Sequence, residues 1–237
     1  MKKGIILTAA GPNMHGMLHD YSLPTFKAYA KKWGYGVEAH ELQIDGDGND
    51  DAAKKAKWAK LGLMEKALES SADIIVWIDA DVLIMRHDED IAGHLLPGTF
   101  QALTYEMVPT EHRISPNTGV WIVRNCDESR EFIKLLYKLG PQPGPWNDQG
   151  TVLEALGWYR GNEQYHGARP GAGSAYLQHT SVLPLGWNQT YLGPMRTERT
   201  ERYAGRPSVE NPHAVHFLGM GVAARRRAMA AYVAIEK

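Results

Sequence analysis

The chain has 237 residues, a length that suits one large domain with a sizeable core. Hydrophobic residues at 43 % and charged residues at 22 % exclude bulk disorder, and a net charge of −1 excludes the global basic field of a non-specific nucleic-acid binder. A single cysteine, Cys126, excludes an intrachain disulfide and points to the reducing cytoplasm, and no apolar run reaches the roughly 18 residues of a membrane helix.

Gly4 to Ala10 is a short apolar run closed by Gly11-Pro12, the pattern of a buried parallel strand. The lysines at positions 2 and 3 give this start a faint likeness to a signal peptide, but the apolar stretch is short and lacks a clear cleavage site. A loop is expected over Asn13 to Tyr21. Ser22 then reads as an N-cap region, with Phe26, Tyr29, Ala30 and Trp33 at helical spacing and Gly34 as the stop. Val37 to Ile44 alternates as a strand does. Asp45 to Asp51 reads as a solvated turn, because an EF-hand glutamate is replaced by Ala56.

A second helix is expected from about Ala53 to Ser70, with Trp58, Leu61, Met64 and Leu68 on one face. It leads into Ala72 to Ile78, a β-branched and aromatic run ending in Asp79-Ala80-Asp81-Val82-Leu83-Ile84. Further strands are predicted at Thr99 to Tyr105 and Gly119 to Val123, and helices at Glu128 to Leu139 and Gln149 to Leu156, with a Pro/Gly turn at Pro141 to Pro145. Loops and short strands follow near Tyr165 to Tyr191, then a last strand at Ala214 to Leu218 and a helical tail from Ala223. The alternation of helix and strand predicts an α/β fold.

Asp79 and Asp81, two apart on an extended backbone, are expected to face the same way, and two adjacent carboxylates repel unless a cation lies between them. At the C-terminal end of a buried α/β strand, such a pair suits Mg²⁺ or Mn²⁺. A merely solvated acidic strand end is the plainer alternative. The words also fit motif I of the haloacid-dehalogenase phosphohydrolases, but that motif usually sits on a first strand and needs a later strand ending in another acidic pair, and here no later apolar strand ends that way.

The surrounding words narrow the choice. Trp58-Ala59-Lys60 precedes Trp77-Ile78-Asp79-Ala80-Asp81-Val82-Leu83-Ile84-Met85. Asn117-Thr118-Gly119 through Asn125 follows, then Asn147-Asp148-Gln149, then Pro184 with Asn188 and Tyr191, and finally His216-Phe217-Leu218-Gly219. With Tyr29-Ala30 and Gly34-Tyr35 in the first helix, this ordered series resembles glycosyltransferase family 34, the galactosyl-, mannosyl- and xyloglucan xylosyltransferases, over residues 1–220.

That resemblance implies a GT-A fold with a mixed, mainly parallel central sheet, a single catalytic domain at 1–222 and a basic helix at 223–237. It implies transfer of a hexose or pentose from a UDP- or GDP-linked sugar to an acceptor hydroxyl with retention, using Mn²⁺ or Mg²⁺. Thr8, Ala9 and Ala10 would lie by the base and Lys60 by the nucleotide. Asp79, Ala80, Asp81, Asn117, Gly119 and Gly219 would meet the diphosphate and sugar, with Asp79, Asp81 and His216 as metal ligands. Asp148 and Gln149 would face the anomeric carbon. Asp148 also reads as a helix N-cap, Lys60 equally as a helix-surface lysine, and His213 as a decoy on the face opposite His216. Gln149 is a weak nucleophile, which favours front-face displacement over a covalent intermediate.

Relatives carry a lysine soon after the histidine and glycine. Here Met220, Gly221, Val222 and two alanines come before Arg225-Arg226-Arg227, so the leaving group is left to these arginines or to the metal. The arginines read equally as a solvated or peripheral membrane-facing surface. His15 and His19 read as lid or acceptor-side residues, Trp146, Trp158 and Trp187 as acceptor-stacking or core residues, and Cys126 as buried. A phosphohydrolase and a non-catalytic nucleotide-sugar binder remain the alternatives.

Overall fold

The structure, a computed structural model, describes residues 3–44, 50–108, 113–142, 147–159, 169–170, 174–193 and 206–235. Most of the Gly/Asp-rich connection, part of the Pro/Gly turn and Trp146 lie outside these residues.

Strand β1 (Gly4–Ala10) pairs in parallel with β2 (Tyr35–Glu41) on one side and β3 (Ile74–Ile78) on the other. Antiparallel to β3 runs the long β6 (Arg113–Arg124), which pairs antiparallel with β5 (Gln101–Val108). A parallel edge strand, β7 (Thr180–Leu183), completes the order β2-β1-β3-β6-β5-β7. The sheet is thus mixed, with helices on both faces.

Its centre is apolar because it is covered twice. Along β3, Ile75 and Trp77 point into one core with Leu61, Met64, Trp121, Phe132 and Leu153, while Val76 and Ile78 point into the other with Ile6, Phe26, Tyr29 and Ile122. Alternation along one strand feeding two cores is why its sequence is continuously apolar. Helices α2 (Asp50–Ala67), α3 (Asp127–Leu139) and α4 (Asn147–Ala155) cover the first face. Helix α1 (Leu23–Trp33) covers the second. Gly34 closes α1 in the left-handed region, φ 79°, with its N–H on the Ala30 carbonyl at 2.8 Å.

Two expectations are corrected. The segment 13–21 is helical, a run of short turns at Pro12–Met14, His15–Met17 and Leu18–Ser22 that continues into α1. Ser22 therefore is no N-cap: its backbone is helical, and its hydroxyl donates to the Ala80 carbonyl at 2.7 Å. The second correction concerns the strand expected to stay extended through Asp79 and Asp81. It breaks after Ile78, where Val82 N–H bonds the Asp79 carbonyl at 3.0 Å, and β4 (Val82–Ile84) joins a separate small sheet. There β4 runs antiparallel to β9 (Ala214–His216), which pairs in parallel with β8 (Gln189–Thr190). Helix α5 (Val222–Ile235) packs Ala228 and Met229 against Met17, Leu83, Val215 and Phe217. Among the described residues, no helix is long and apolar enough to cross a membrane.

Tyr29 pins the loop after β4 to α1. Its hydroxyl donates to the Glu89 carbonyl at 3.0 Å and accepts from the Ile91 N–H at 2.8 Å. Tyr29→Phe strands both backbone groups, so unfolding in urea should show a loss of about 1–3 kcal/mol.

Candidate active site

The C-terminal ends of β1 and β3 lie side by side, Leu7 paired with Trp77, so Ala9 and Ala10 stand beside the turn that holds Asp79 and Asp81. This is the edge at which ligands bind open α/β sheets. Thr8 is buried, and its hydroxyl has no partner among the described residues. The Ala10 carbonyl accepts from Leu42 N–H and His15 Nε2, each at 2.9 Å.

The two aspartates meet through a turn rather than through strand alternation. Asp79 N–H bonds the Gly119 carbonyl at 2.8 Å, and Phe217 N–H bonds the Asp81 carbonyl at 2.9 Å, so each residue is tied to a different sheet. Between them His216 rises from β9. Its Nε2 lies 3.3 Å from Asp81 Oδ1 and 3.8 Å from Asp79 Oδ2. One ligand atom from each of Asp79, Asp81 and His216 falls within 4.8 Å of the others.

The outer carboxylate oxygens face cations. Asp79 Oδ1 takes Lys60 Nζ at 3.2 Å and the Trp77 indole N–H at 2.6 Å. Asp81 Oδ2 lies 3.4 Å from Arg225 Nε, which also donates to the Phe217 carbonyl at 2.9 Å. Lys60, only 4 % exposed, reaches on to Asp148 at 2.9 Å and to the Thr118 carbonyl at 3.1 Å. Lys60 is thus no surface lysine. Asp148 is no N-cap either: it sits inside the first turn of α4 with its carboxylate on Lys60 and the Thr118 hydroxyl.

Titration behaviour follows from these contacts. Burial opposes charge on Lys60, but Asp148 and then Asp79 outweigh it, and its pKa is raised. Burial would raise the Asp81 carboxyl, yet Arg225 and His216 hold it well below the usual range. Burial would lower His216, and Asp81 with Asp79 raises it instead. With His216 neutral, as a metal ligand must be, three carboxylates against the two permanent cations Lys60 and Arg225 leave one net negative charge here. A divalent cation would reverse that sign and suit the site to a diphosphate. Two carboxylates and one imidazole are a donor set that fits Mn²⁺ well.

Other expected residues fall nearby. Asn117 is buried, its Oδ1 accepting from Gly119 N–H at 2.7 Å and from Asn188 Nδ2 at 2.9 Å. Asn188 Oδ1 in turn faces His216 Nδ1 at 2.9 Å. Gln149 Nε2 donates to the Pro116 carbonyl at 2.9 Å. Ala80 is buried, and Gly219 adopts φ 68°, which explains a glycine there. His213 does face away, stacked on Trp187 with ring centroids 4.5 Å apart. Trp158 and Trp187 are core residues, and Cys126 is half-buried at the start of α3. His15 and His19 sit on helical turns beside Glu41. Arg226 pairs with Asp20, so two of the three consecutive arginines have partners within the fold.

Sequence reasoning missed three features. Asn188 at His216 stood only as part of a motif, Ser22 was assigned to a cap, and the buried Glu106–Arg206 pair beside Thr190 carried no signal at all.

No protein-family model matches the chain, and no curated protein matches it. Solved structures do resemble it. A glycosyltransferase involved in glycosylating the major capsid of PBCV-1 aligns with a TM-score of 0.64 and 18 % identity over 96 % of this chain and 98 % of that one. The galactosyltransferase LgtC, solved with donor and acceptor sugar analogues, aligns at 0.55 and 13 % identity over 96 % and 95 %. The bifunctional glycosyltransferase WbbM aligns at 0.56 and 10 % identity over 97 % of this chain and 50 % of that one. The chain has the GT-A fold of these glycosyltransferases. That is not the phosphohydrolase fold, so the haloacid-dehalogenase alternative falls.

A Cβ on Gly119 would come 2.3 Å from His216 Cε1 and 2.5 Å from Nδ1. Gly119→Ala must displace the imidazole, and its Mn²⁺ affinity, read by paramagnetic titration, should fall roughly tenfold or more.

Proposed function

We propose that the chain is a divalent-metal-dependent glycosyltransferase that moves a hexose or pentose from a UDP- or GDP-linked sugar to an acceptor hydroxyl with retention. The observation that carries this reading is the convergence of Asp79, Asp81 and His216 at the ligand edge of a GT-A fold. The metal, Mn²⁺ in preference to Mg²⁺, would be held by those three residues and would supply Lewis-acid stabilisation of the departing diphosphate.

The chain's own residues do the rest. Thr8, Ala9 and Ala10 receive the base at the end of β1. Arg225, poised on Asp81, is the side chain within reach of the diphosphate and takes the place of the lysine that relatives carry. Gly219 brings the backbone close to the same group. Lys60 holds Asp148 in one position, and Asp148, Gln149, Asn117 and Gly119 form the wall that orients the sugar.

Retention by front-face displacement balances simply. The bond from the anomeric carbon to the diphosphate oxygen breaks, a bond to the acceptor oxygen forms on the same face, and the acceptor proton passes to the diphosphate. Engagement of Asp148 Oδ2 by Lys60 and the Thr118 hydroxyl supports this route, because a carboxylate so neutralised is a poor nucleophile. Trapping a sugar covalently on Asp148 would overturn it. The single cysteine supports work in the reducing cytoplasm. The net charge of −1 favours an acceptor other than nucleic acid.

A thermal-shift screen of nucleotide sugars with and without Mn²⁺ tests the proposal. At a hundredfold excess over Kd, the matching donor should stabilise by about 2.7 kcal/mol, roughly 5–10 °C, only when metal is present. Asp81→Ala should keep the fold and lose both this shift and metal-dependent hydrolysis of the donor. Unchanged activity in Asp81→Ala would sink the site assignment, and donor binding without any turnover would make the protein a binder.

A further inference from the structure

We infer that Asn188 is a positioning residue that fixes His216 with a proton on Nδ1, so that Nε2 is the ring nitrogen offered to a cation between Asp79 and Asp81. The inference rests on the metal-site reading above and deepens it.

The backbone N–H of Gly119 can only donate. It lies 2.7 Å from the Asn117 carboxamide, so the atom it meets must be the oxygen. That oxygen also lies 2.9 Å from the Asn188 carboxamide, and two acceptors cannot share that distance, so Asn188 presents its NH₂. The other end of Asn188 is therefore its oxygen, and it faces His216 Nδ1 at 2.9 Å. An oxygen there requires a hydrogen on Nδ1. Nε2, 3.3 Å from Asp81 Oδ1, is then the ring nitrogen left for a cation, and without one it carries a hydrogen toward that carboxylate.

Burial removes the alternatives. Asn188 is 0 % exposed, Asn117 5 % and His216 4 %, so a reversed carboxamide would leave buried acceptors facing one another without water. Turning the imidazole over would set carbon atoms against both Asn188 and Asp81. The absent Cβ of Gly119 is what lets the ring lie where it does, since Cε1 is 2.3 Å from the place such an atom would take. One residue thus serves both halves of the site: Gly119 N–H starts the relay to His216, and its carbonyl holds Asp79 N–H at 2.8 Å. A metal-ligating histidine whose other nitrogen is fixed in this way gains both orientation and basicity.

The test uses the full chain with ¹⁵N-labelled histidine, metal-free, and long-range ¹H–¹⁵N correlation spectra, with the His216 signals assigned from His216→Gln. In the wild type, Nδ1 of His216 should carry a proton in the charged ring and in the neutral one alike. Asn188→Leu, which removes the acceptor, should give a neutral ring protonated on Nε2 or mixed. Mn²⁺ affinity should fall roughly 10- to 100-fold in Asn188→Leu. A wild-type ring without a proton on Nδ1, or equal Mn²⁺ affinity in wild type and Asn188→Leu, would overturn the inference. If Asn188→Leu does not fold, the wild-type spectra still decide it. The tautomer is read without metal, so failure of the wild type to bind Mn²⁺ would count against the metal site and not against the proton assignment.

Discussion

A buried ammonium group holds the site together. Lys60 Nζ lies between Asp79 and Asp148, which come from different parts of the chain, and also meets the Thr118 carbonyl and hydroxyl and the face of the Trp77 ring. Bringing any of these charges out of water alone costs several kcal/mol, so they are stable only together. The same logic governs the other carboxylate, where Arg225 and His216 offset the burial of Asp81. The consequence is a division of labour within each aspartate: one oxygen faces a fixed protein cation, and the other faces His216. Removing Lys60 would release Asp148 as well as Asp79.

This arrangement depends on where two sheets meet. The main sheet supplies Asp79 and, through β6, the Gly119 carbonyl that holds it; the small sheet supplies His216 and ties down Asp81 through Phe217. The break after Ile78 is therefore the structural event that creates the site. A strand continued straight through Asp81 would have carried its second carboxylate along the main sheet. Instead the chain turns, β4 pairs with β9, and an imidazole enters from the opposite side. Helix α5 closes the arrangement by placing Arg225 against Asp81 while burying Ala228 and Met229.

Much of this was legible in the sequence, for identifiable reasons. β3 announced itself because a strand feeding two cores must be apolar at every position, and α1 because Phe26, Tyr29 and Ala30 repeat at helical spacing before a glycine. The acidic pair stood out because charge at the end of such a strand demands a partner. What stayed hidden depended on tertiary contact. Lys60 looks like any helix lysine until Asp79 and Asp148 are seen around it. The turn after Ile78 leaves no mark, because Asp-Ala-Asp is as compatible with extended backbone as with a turn. The helical turns at 12–22 were obscured by Gly11, Pro12 and Gly16, and Ser22 looked like a cap until the Ala80 carbonyl appeared beside it. Low identity to the resembling structures, 10–18 %, carries the fold and leaves the chemistry to be argued from the side chains.

Whether Asp79, Asp81 and His216 together hold one divalent cation beneath a nucleoside diphosphate is read from crystals grown with Mn²⁺ and UDP or GDP and measured at the manganese absorption edge. One anomalous peak per chain is expected, bounded by Asp79, Asp81 and His216, with diphosphate oxygens on its open side near Arg225. A peak elsewhere, or a nucleotide bound with no metal between these three residues, would contradict it.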